Sequence, residues 1–354
     1  FLFKTFLVLC FICSGYTHHI NKGVVRLPFR MESLTKDFDV ERESVGNWSG
    51  KLSGNWQVGK IPSGGYSTYV VLKCIVGELK AASTEPPPSG QKRPPNAHSE
   101  VLSANVHFLN RMVPGHFQTR VSVLKSGKST STVAASLFQN NRKCLHVVAT
   151  CAEVQISVEK GPNLADLSNR STPPVLPPLA ECVRLDAGDN NQQSVRSRVR
   201  MRVPLETAQR YQDCRTTRDD GTYNEEMLVK RQKAVKNGIA KYSGYCFFED
   251  GSEPSLASAP LYLDASIPPI LGAYVTGWVP TINWTIQFRQ RPAPGPLKFS
   301  FETTGIFGGY LEEDGRIWDS NGALVAMSRQ IAMVGVSQSQ NNNSIHQSSK
   351  LAAL

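Results

Sequence analysis

The apolar run from Ile61 to Leu79, IPSGGYSTYVVLKCIVGEL, has few breakers and predicts one buried helix, reached through Pro62, Ser63, Gly64 and Gly65. EPPPSGQKRPP follows it and reads as a loop. Strand-like stretches come next. Val101–Asn110 alternates in part, Phe117–Leu124 alternates strongly, and Ser131–Phe138 continues the pattern. Asn140-Asn141 marks a turn, and Leu145–Ile156 gives a further strand. This half predicts a helix followed by an antiparallel meander.

From Gly161 to about Pro204 the pattern dissolves into STPPVLPPL and DAGDNNQQS, which read as a linker or a long surface insertion. Residues 205–241 are mixed-charge with basic residues in excess, either a solvated helical face or a phosphate-contacting patch. The apolar, proline-containing SLASAPLYLDASIPPILGAY then precedes strands at Trp278–Phe288 and Leu297–Thr303. A further pair is joined across Asp319-Ser320-Asn321-Gly322, where Asn-Gly signals a hairpin. The second half thus repeats the first. Phe108, Arg111, Pro114 and Gly115 recur as Phe288, Arg291, Pro294 and Gly295, 180 residues later. The strands at Leu145 and Leu324 keep nearly the same offset. Such a repeat implies two copies of one helix-plus-sheet unit, neither of which can bury its sheet without its helix. The two sheets are expected to join edge to edge, which hides edges that would otherwise pair with other chains.

Composition adds bounds. At 354 residues and 40% hydrophobic content the chain is globular and large enough for two ordinary domains. The formal charge of +10 points to an anionic partner without choosing among cofactor phosphates, a membrane surface and nucleic acid. FLFKTFLVLCFICSGY at the start resembles the apolar core of a signal peptide, too short for a comfortable membrane span. Met31 begins an ordinary soluble-looking stretch, so residues 1–30 read either as non-native upstream sequence or as a targeting segment. The cysteines are spread thinly, with no close CxxC pair beyond Cys10 and Cys13, which suits reduced core thiols. Cys144, His146 and Cys151 fall in a strand-like run and read as buried side chains rather than metal ligands. Of the sequons at Asn47, Asn169 and Asn283, the last lies in an apolar strand, which counts against secretion. Ser349-Lys350-Leu351 would be a peroxisomal address if terminal, but Ala352-Ala353-Leu354 follow it, so the expectation is cytoplasmic residence, with a peroxisomal one left open.

Several familiar chemistries are excluded. GKST at 127–130 lacks the Walker glycine, since position 122 is Ser122, and it lies between strands. There is no G-x-S-x-G elbow and no H-E-x-x-H motif. The acidic run Glu312-Glu313-Asp314-Gly315 reads as a strand end and turn. One residue stands out: Asp264 is the only charged residue between Pro254 and Phe288. A lone carboxylate there must reach solvent or be held by hydrogen bonds, either as a capping residue or as a group with a perturbed pKa.

GNWQVGKIPSGGY, VHFLNRMVPG and LKSGKSTSTVAASLFQNN in the first half resemble the thioesterase-like superfamily of the acyl-CoA thioesterase II type. LYLDASIPP, GWVPTINWTIQFRQRPAPG and GGYLEEDGRIWDSNGALVAMSRQIAMV carry the resemblance in the second. It covers about 47 to 335, apart from 161–240. It implies an α+β double hotdog, two antiparallel sheets joined edge to edge, each wrapped around a helix. The implied organisation is an N-terminal hotdog over 31–160, a linker or insertion over 161–240, a C-terminal hotdog over 241–336 and a disordered tail over 337–354. The family places an Asp, a Thr and a Gln at positions that fall on Asp264, Thr281 and Gln330, with Thr285 as a second candidate hydroxyl on the same strand face. Asp264 would be the general base for a water positioned by Thr281 and Gln330. Gly64, Gly65 and Tyr66 would contact the substrate, the glycine N–H groups serving the oxyanion. No cofactor or metal is implied. The expected partner is an acyl-CoA or acyl-carrier-protein thioester, with no nucleic acid and no stable membrane insertion, and a homo-oligomer is compatible. Two rivals remain: a non-catalytic acyl-binding module on the same fold, and a secreted or membrane-tethered structural protein.

Overall fold

The computed structural model describes residues 37–84, 98–154, 172–185, 193–211, 238–274 and 279–334. The leader at 1–30, the EPPPSGQKRPP loop, Asn169, Trp278, most of the basic stretch at 212–237 and the tail from 337 lie outside them.

The strands in chain order are β1 (Val40–Ser44), β2 (Asn47–Leu52), β3 (Gln57–Val58), β4 (Ile61–Pro62), β5 (Glu100–Phe108), β6 (Gly115–Ser126), β7 (Ser131–Gln139) and β8 (Arg142–Ala152). The second half adds β9 (Val183–Arg184), β10 (Val199–Val203), β11 (Lys241–Phe248), β12 (Thr281–Phe288), β13 (Leu297–Glu302), β14 (Ile306–Phe307), β15 (Tyr310–Trp318) and β16 (Leu324–Met333). Helices α1 (Gly64–Thr84), α2 (Val195–Arg198), α3 (Leu205–Tyr211) and α4 (Ala259–Leu263) complete the set. Fourteen strands form one antiparallel sheet in the order β1-β2-β6-β7-β8-β5-β12-β16-β15-β13-β11-β10-β9, with β14 beside β15. This is the expected double hotdog.

The halves meet at β5 and β12, where Asn105 lies opposite Thr285. Those are the residues a 180-residue offset makes equivalent, so the join is a local twofold in register as well as in strand order. The Thr285 hydroxyl donates to Asn105 Oδ1 at 2.8 Å across it. Gly115 and Gly295, the repeated Pro-Gly glycines, both have positive φ, at 139° and 105°, where a side chain would be strained. The meander holds for β6–β7–β8. The preceding strand β5, however, pairs with β8 rather than with β6. The linker between β5 and β6 is long enough to cross the strand ends, and the Gln139 side chain fixes it by bonding both the N–H and the C=O of Val113. In the second half β12 pairs with β16 in the same way. Asn140 and Asn141, with φ of 49° and 60°, make the two-residue β7–β8 turn.

Helix α1 is 21 residues long and buries Tyr66, Val70, Val71, Cys74, Ile75 and Leu79 against the sheet. Each large aliphatic side chain on that stripe contributes about 1.5–3 kcal/mol of transfer free energy. Ser63 caps the helix, its hydroxyl accepting from the Tyr66 N–H at 3.2 Å. The second-half helix α4 has only five residues, with Pro260 in its first turn and Pro268-Pro269 a few residues beyond its end.

Two sequence expectations change here. The stretch read as a linker over 161–240 contains β9 and β10, and β10 pairs with β11. VRMRV alternates buried and half-buried positions, a pattern too short to stand out beside proline-rich neighbours. The acidic run at 312–315 is the middle of β15, not its end. Cys74, Cys144, Cys151, Cys182 and Cys246 are buried free thiols, as expected. No helix among the described residues is long and apolar enough to cross a membrane.

Candidate active site

Asp264 stands at the C-terminal end of α4, which abuts the first turn of α1. A Cβ added at Gly65 would lie 2.3 Å from the Pro260 carbonyl oxygen and 2.7 Å from Asp264 Cβ. Gly65 therefore serves close approach. The approach delivers the Asp264 carboxylate to the start of α1, where Oδ2 accepts from the Gly65 N–H at 2.7 Å. A helix N-terminus favours an anion. Burial still dominates and pushes the carboxyl up to about 6, opposed by the Gly65 N–H, the Arg196 charge, the Ser63 hydroxyl and the Gly64 N–H.

This arrangement alters the expected use of the first helix. The Gly65 N–H, read from sequence as a donor for the oxyanion, is engaged by Asp264. Tyr66 is fully buried, with its hydroxyl donating to the Asp37 carbonyl at 2.6 Å and accepting from the Ser53 N–H at 2.8 Å. Its ring stacks on Trp56. Tyr66 is thus a core residue whose polar tip is already satisfied.

Thr281 and Gln330 come together: the Thr281 hydroxyl donates to Gln330 Oε1 at 2.6 Å. Gln330 lies opposite Trp284, which is buried, so both side chains are on the inner face. Plain alternation from Trp284 would turn Thr281 outward. A bulge between Thr281 and Asn283 resets the alternation and brings Thr281 inward. Thr285 therefore does not share its face. It points outward to Asn105, which removes it as the alternative hydroxyl.

Sequence reasoning missed Glu313. In β15 it sits in the inner row with Leu311 and Ile317, 3% exposed and directly opposite Gln330. Its Oε1 accepts from the Ser266 hydroxyl at 3.1 Å, and Gln330 is its cross-strand neighbour on the same face. Burial pushes the Glu313 carboxyl up to about 8; the Ser266 hydroxyl and the Gln330 amide oppose the shift, while the Asp264 and Asp314 charges add to it. Glu313 thus lies between the Thr281–Gln330 pair and Ser266, two residues along the chain from Asp264. The alternation of Leu311, Glu313, Gly315 and Ile317 was the signal that could have found it.

Residues 52–152 match the model of the acyl-CoA thioesterase N-terminal domain, and residues 182–334 match that of the C-terminal domain. The chain belongs to the hotdog-fold thioesterase superfamily. Thioesterase chemistry on acyl thioesters is the activity of this family. The C-terminal match begins at 182, so β9 and β10 belong to the second hotdog. The uncharacterized protein Rv0499 of Mycobacterium tuberculosis is 25% identical over 289 residues, covering 81% of this chain and 90% of its own length. A candidate thioesterase II from Thermobifida fusca shares the fold at a TM-score of 0.67 and 24% identity, covering 87% of this chain and 99% of that one. An acyl-CoA thioesterase II from Mycobacterium marinum does so at 0.58 and 14%, covering 86% and 99%.

Proposed function

We propose that this thioesterase hydrolyses acyl-CoA or acyl-carrier-protein thioesters with a water activated by Asp264 and positioned by Thr281 and Gln330. The observation that carries the reading is the hydrogen-bonded Thr281–Gln330 pair on the inner face, beside Glu313, whose Oε1 accepts from Ser266, two residues along the chain from the half-buried Asp264. A thioester carbonyl is electrophilic enough that no covalent nucleophile is required. Asp264 takes a proton as the water oxygen bonds to the carbonyl carbon, forming a tetrahedral oxyanion. Collapse breaks the carbon–sulfur bond, and the departing thiolate regains the proton. A free N–H of the Gln330 amide can meet the water or the oxyanion.

A second reading has its own support. Asp264 accepts from the Gly65 N–H, so it could serve only as a cap on α1. Asp264→Asn separates the two when thiol release from a panel of acyl-CoA chain lengths is followed on the same sample as thermal melting. A general base predicts turnover lowered about 10²–10⁴-fold with stability held or raised. A cap predicts preserved turnover and a lower melting temperature. Near-normal turnover in this variant sinks the proposed mechanism.

A further inference from the structure

Glu313 raises a question that the proposed mechanism leaves unanswered. A carboxyl buried in an inner row is costly unless cations or several donors meet it. In the N-terminal half Glu78 is met by Arg42, with two hydrogen bonds of 3.0 Å. No cation pairs with Glu313 among the described residues. The Ser266 hydroxyl from the α4 side donates to it, Gln330 of β16 lies opposite it, and its charge bears on Tyr242 of β11. The Tyr242 hydroxyl is tied to the Ile267 backbone through both its hydrogen and its oxygen, and burial keeps it neutral. The nearby charges include the carboxylates of Asp264 and Asp314. Asp314 is engaged by Arg329 at 2.6 Å, and Arg196 bears on Asp264 while its guanidinium donates to the Ser266 carbonyl at 3.4 Å.

We propose that Glu313 is a positioning residue of the thioesterase site: buried opposite Gln330 and held by Ser266, it keeps the Gln330 amide turned to Thr281. The role rests on the reading of Asp264, Thr281 and Gln330 given above. Gln330 Oε1 accepts from Thr281, which leaves the amide nitrogen as the end turned to Glu313, its cross-strand neighbour on β15. That fixes the amide against flipping and leaves one N–H for the water or the carbonyl oxygen. A flipped amide would aim oxygen at oxygen. Asp264 titrates first, near 6, and Glu313 later, near 8. Between those values the two carboxyls carry one negative charge between them, on Asp264. Above them an ionised Glu313 opposes the negative charge developing on the substrate.

The test is the pH profile of kcat for octanoyl-CoA hydrolysis by the full chain, with Glu313→Gln and Glu313→Ala beside the wild type. Infrared titration of protonated carboxyl bands provides a readout independent of turnover. Wild-type kcat should rise through about pH 6 and fall through about pH 8. Glu313→Gln, which keeps a neutral hydrogen-bonding group, should retain the rise, lose the fall and lose the carboxyl band that titrates near 8. Glu313→Ala should lower kcat about tenfold with KM little changed. An unchanged fall in Glu313→Gln overturns the role of Glu313 alone. So does a wild type with no alkaline fall, which needs no variant to fold. A wild type that hydrolyses no thioester overturns the proposed function and this role with it.

Discussion

In the N-terminal half, β8 sets Ala149 opposite Val133, and the bulged start of β5 carries Val101. The corresponding positions of β16, β15 and β12 in the C-terminal half hold Gln330, Glu313 and Thr281. Even the bulge is repeated, between Val101 and Ser103 in one half and between Thr281 and Asn283 in the other. The frame is therefore common, and the polar chemistry occupies one copy. Each half also buries acid in a different way. Glu78 is held below the ordinary carboxylate range: burial pushes it up, but Arg42 and Trp48 more than offset this. Asp264 and Glu313 are pushed above that range. A cation-paired acid suits a stable core; an acid without that compensation retains the basicity a water-activating group needs.

Rebuilding the second site as its counterpart is the largest challenge to that contrast. Thr281→Val, Glu313→Val and Gln330→Ala together should lower turnover about 10³-fold or more, with the fold retained in circular dichroism. Retained thioester hydrolysis would show that the difference between the halves is not what carries activity.

The N-terminal acid is tested next. Arg42→Ala leaves Glu78 buried without its cation and should remove about 3 kcal/mol of unfolding free energy, read from denaturant titration. Adding Glu78→Gln should restore part of it. A loss under about 1 kcal/mol would mean the pair behaves as an exposed one.

Stability against pH should separate the halves by sign. Asp264 and Glu313 have raised folded values, so the folded state prefers their protonated forms. The stability they contribute is present below their unfolded values and is lost as pH rises through about 6 and then about 8. Glu78, held low, acts oppositely, and its contribution is lost as pH falls through its folded value. Between pH 5 and 9 the wild-type melting temperature should drop by about 5 °C or more, and Asp264→Asn and Glu313→Gln should each flatten the drop. An equal drop in both variants would remove these two carboxyls as its source.

The smallest effect concerns the bulge. Thr285→Val alters the outer face and should leave turnover within about twofold and stability within about 1 kcal/mol. Thr281→Val, four residues earlier, should lower kcat about tenfold. Equal effects would mean that the inner and outer faces have been misassigned.

Local pattern made much of this protein legible. Period-two alternation marked β6 and β7, few breakers marked α1, and the repeated Phe-Arg-Pro-Gly spacing implied two joined copies of one unit. Asp264 was visible because a lone charge in an apolar stretch is conspicuous without any partner in view. Tertiary structure decided the rest. The bulge that turns Thr281 inward depends on how β12 registers with β16. The role of the Gly65 N–H depends on a carboxylate 199 residues away. Glu313 is an ordinary acidic residue in a turn-like run until β15 is paired and its pleat places that carboxyl in the interior. Alternation is a property of neighbouring residues, whereas the face, the burial and the charge state of a side chain are set by strands and helices that only the folded chain brings beside it.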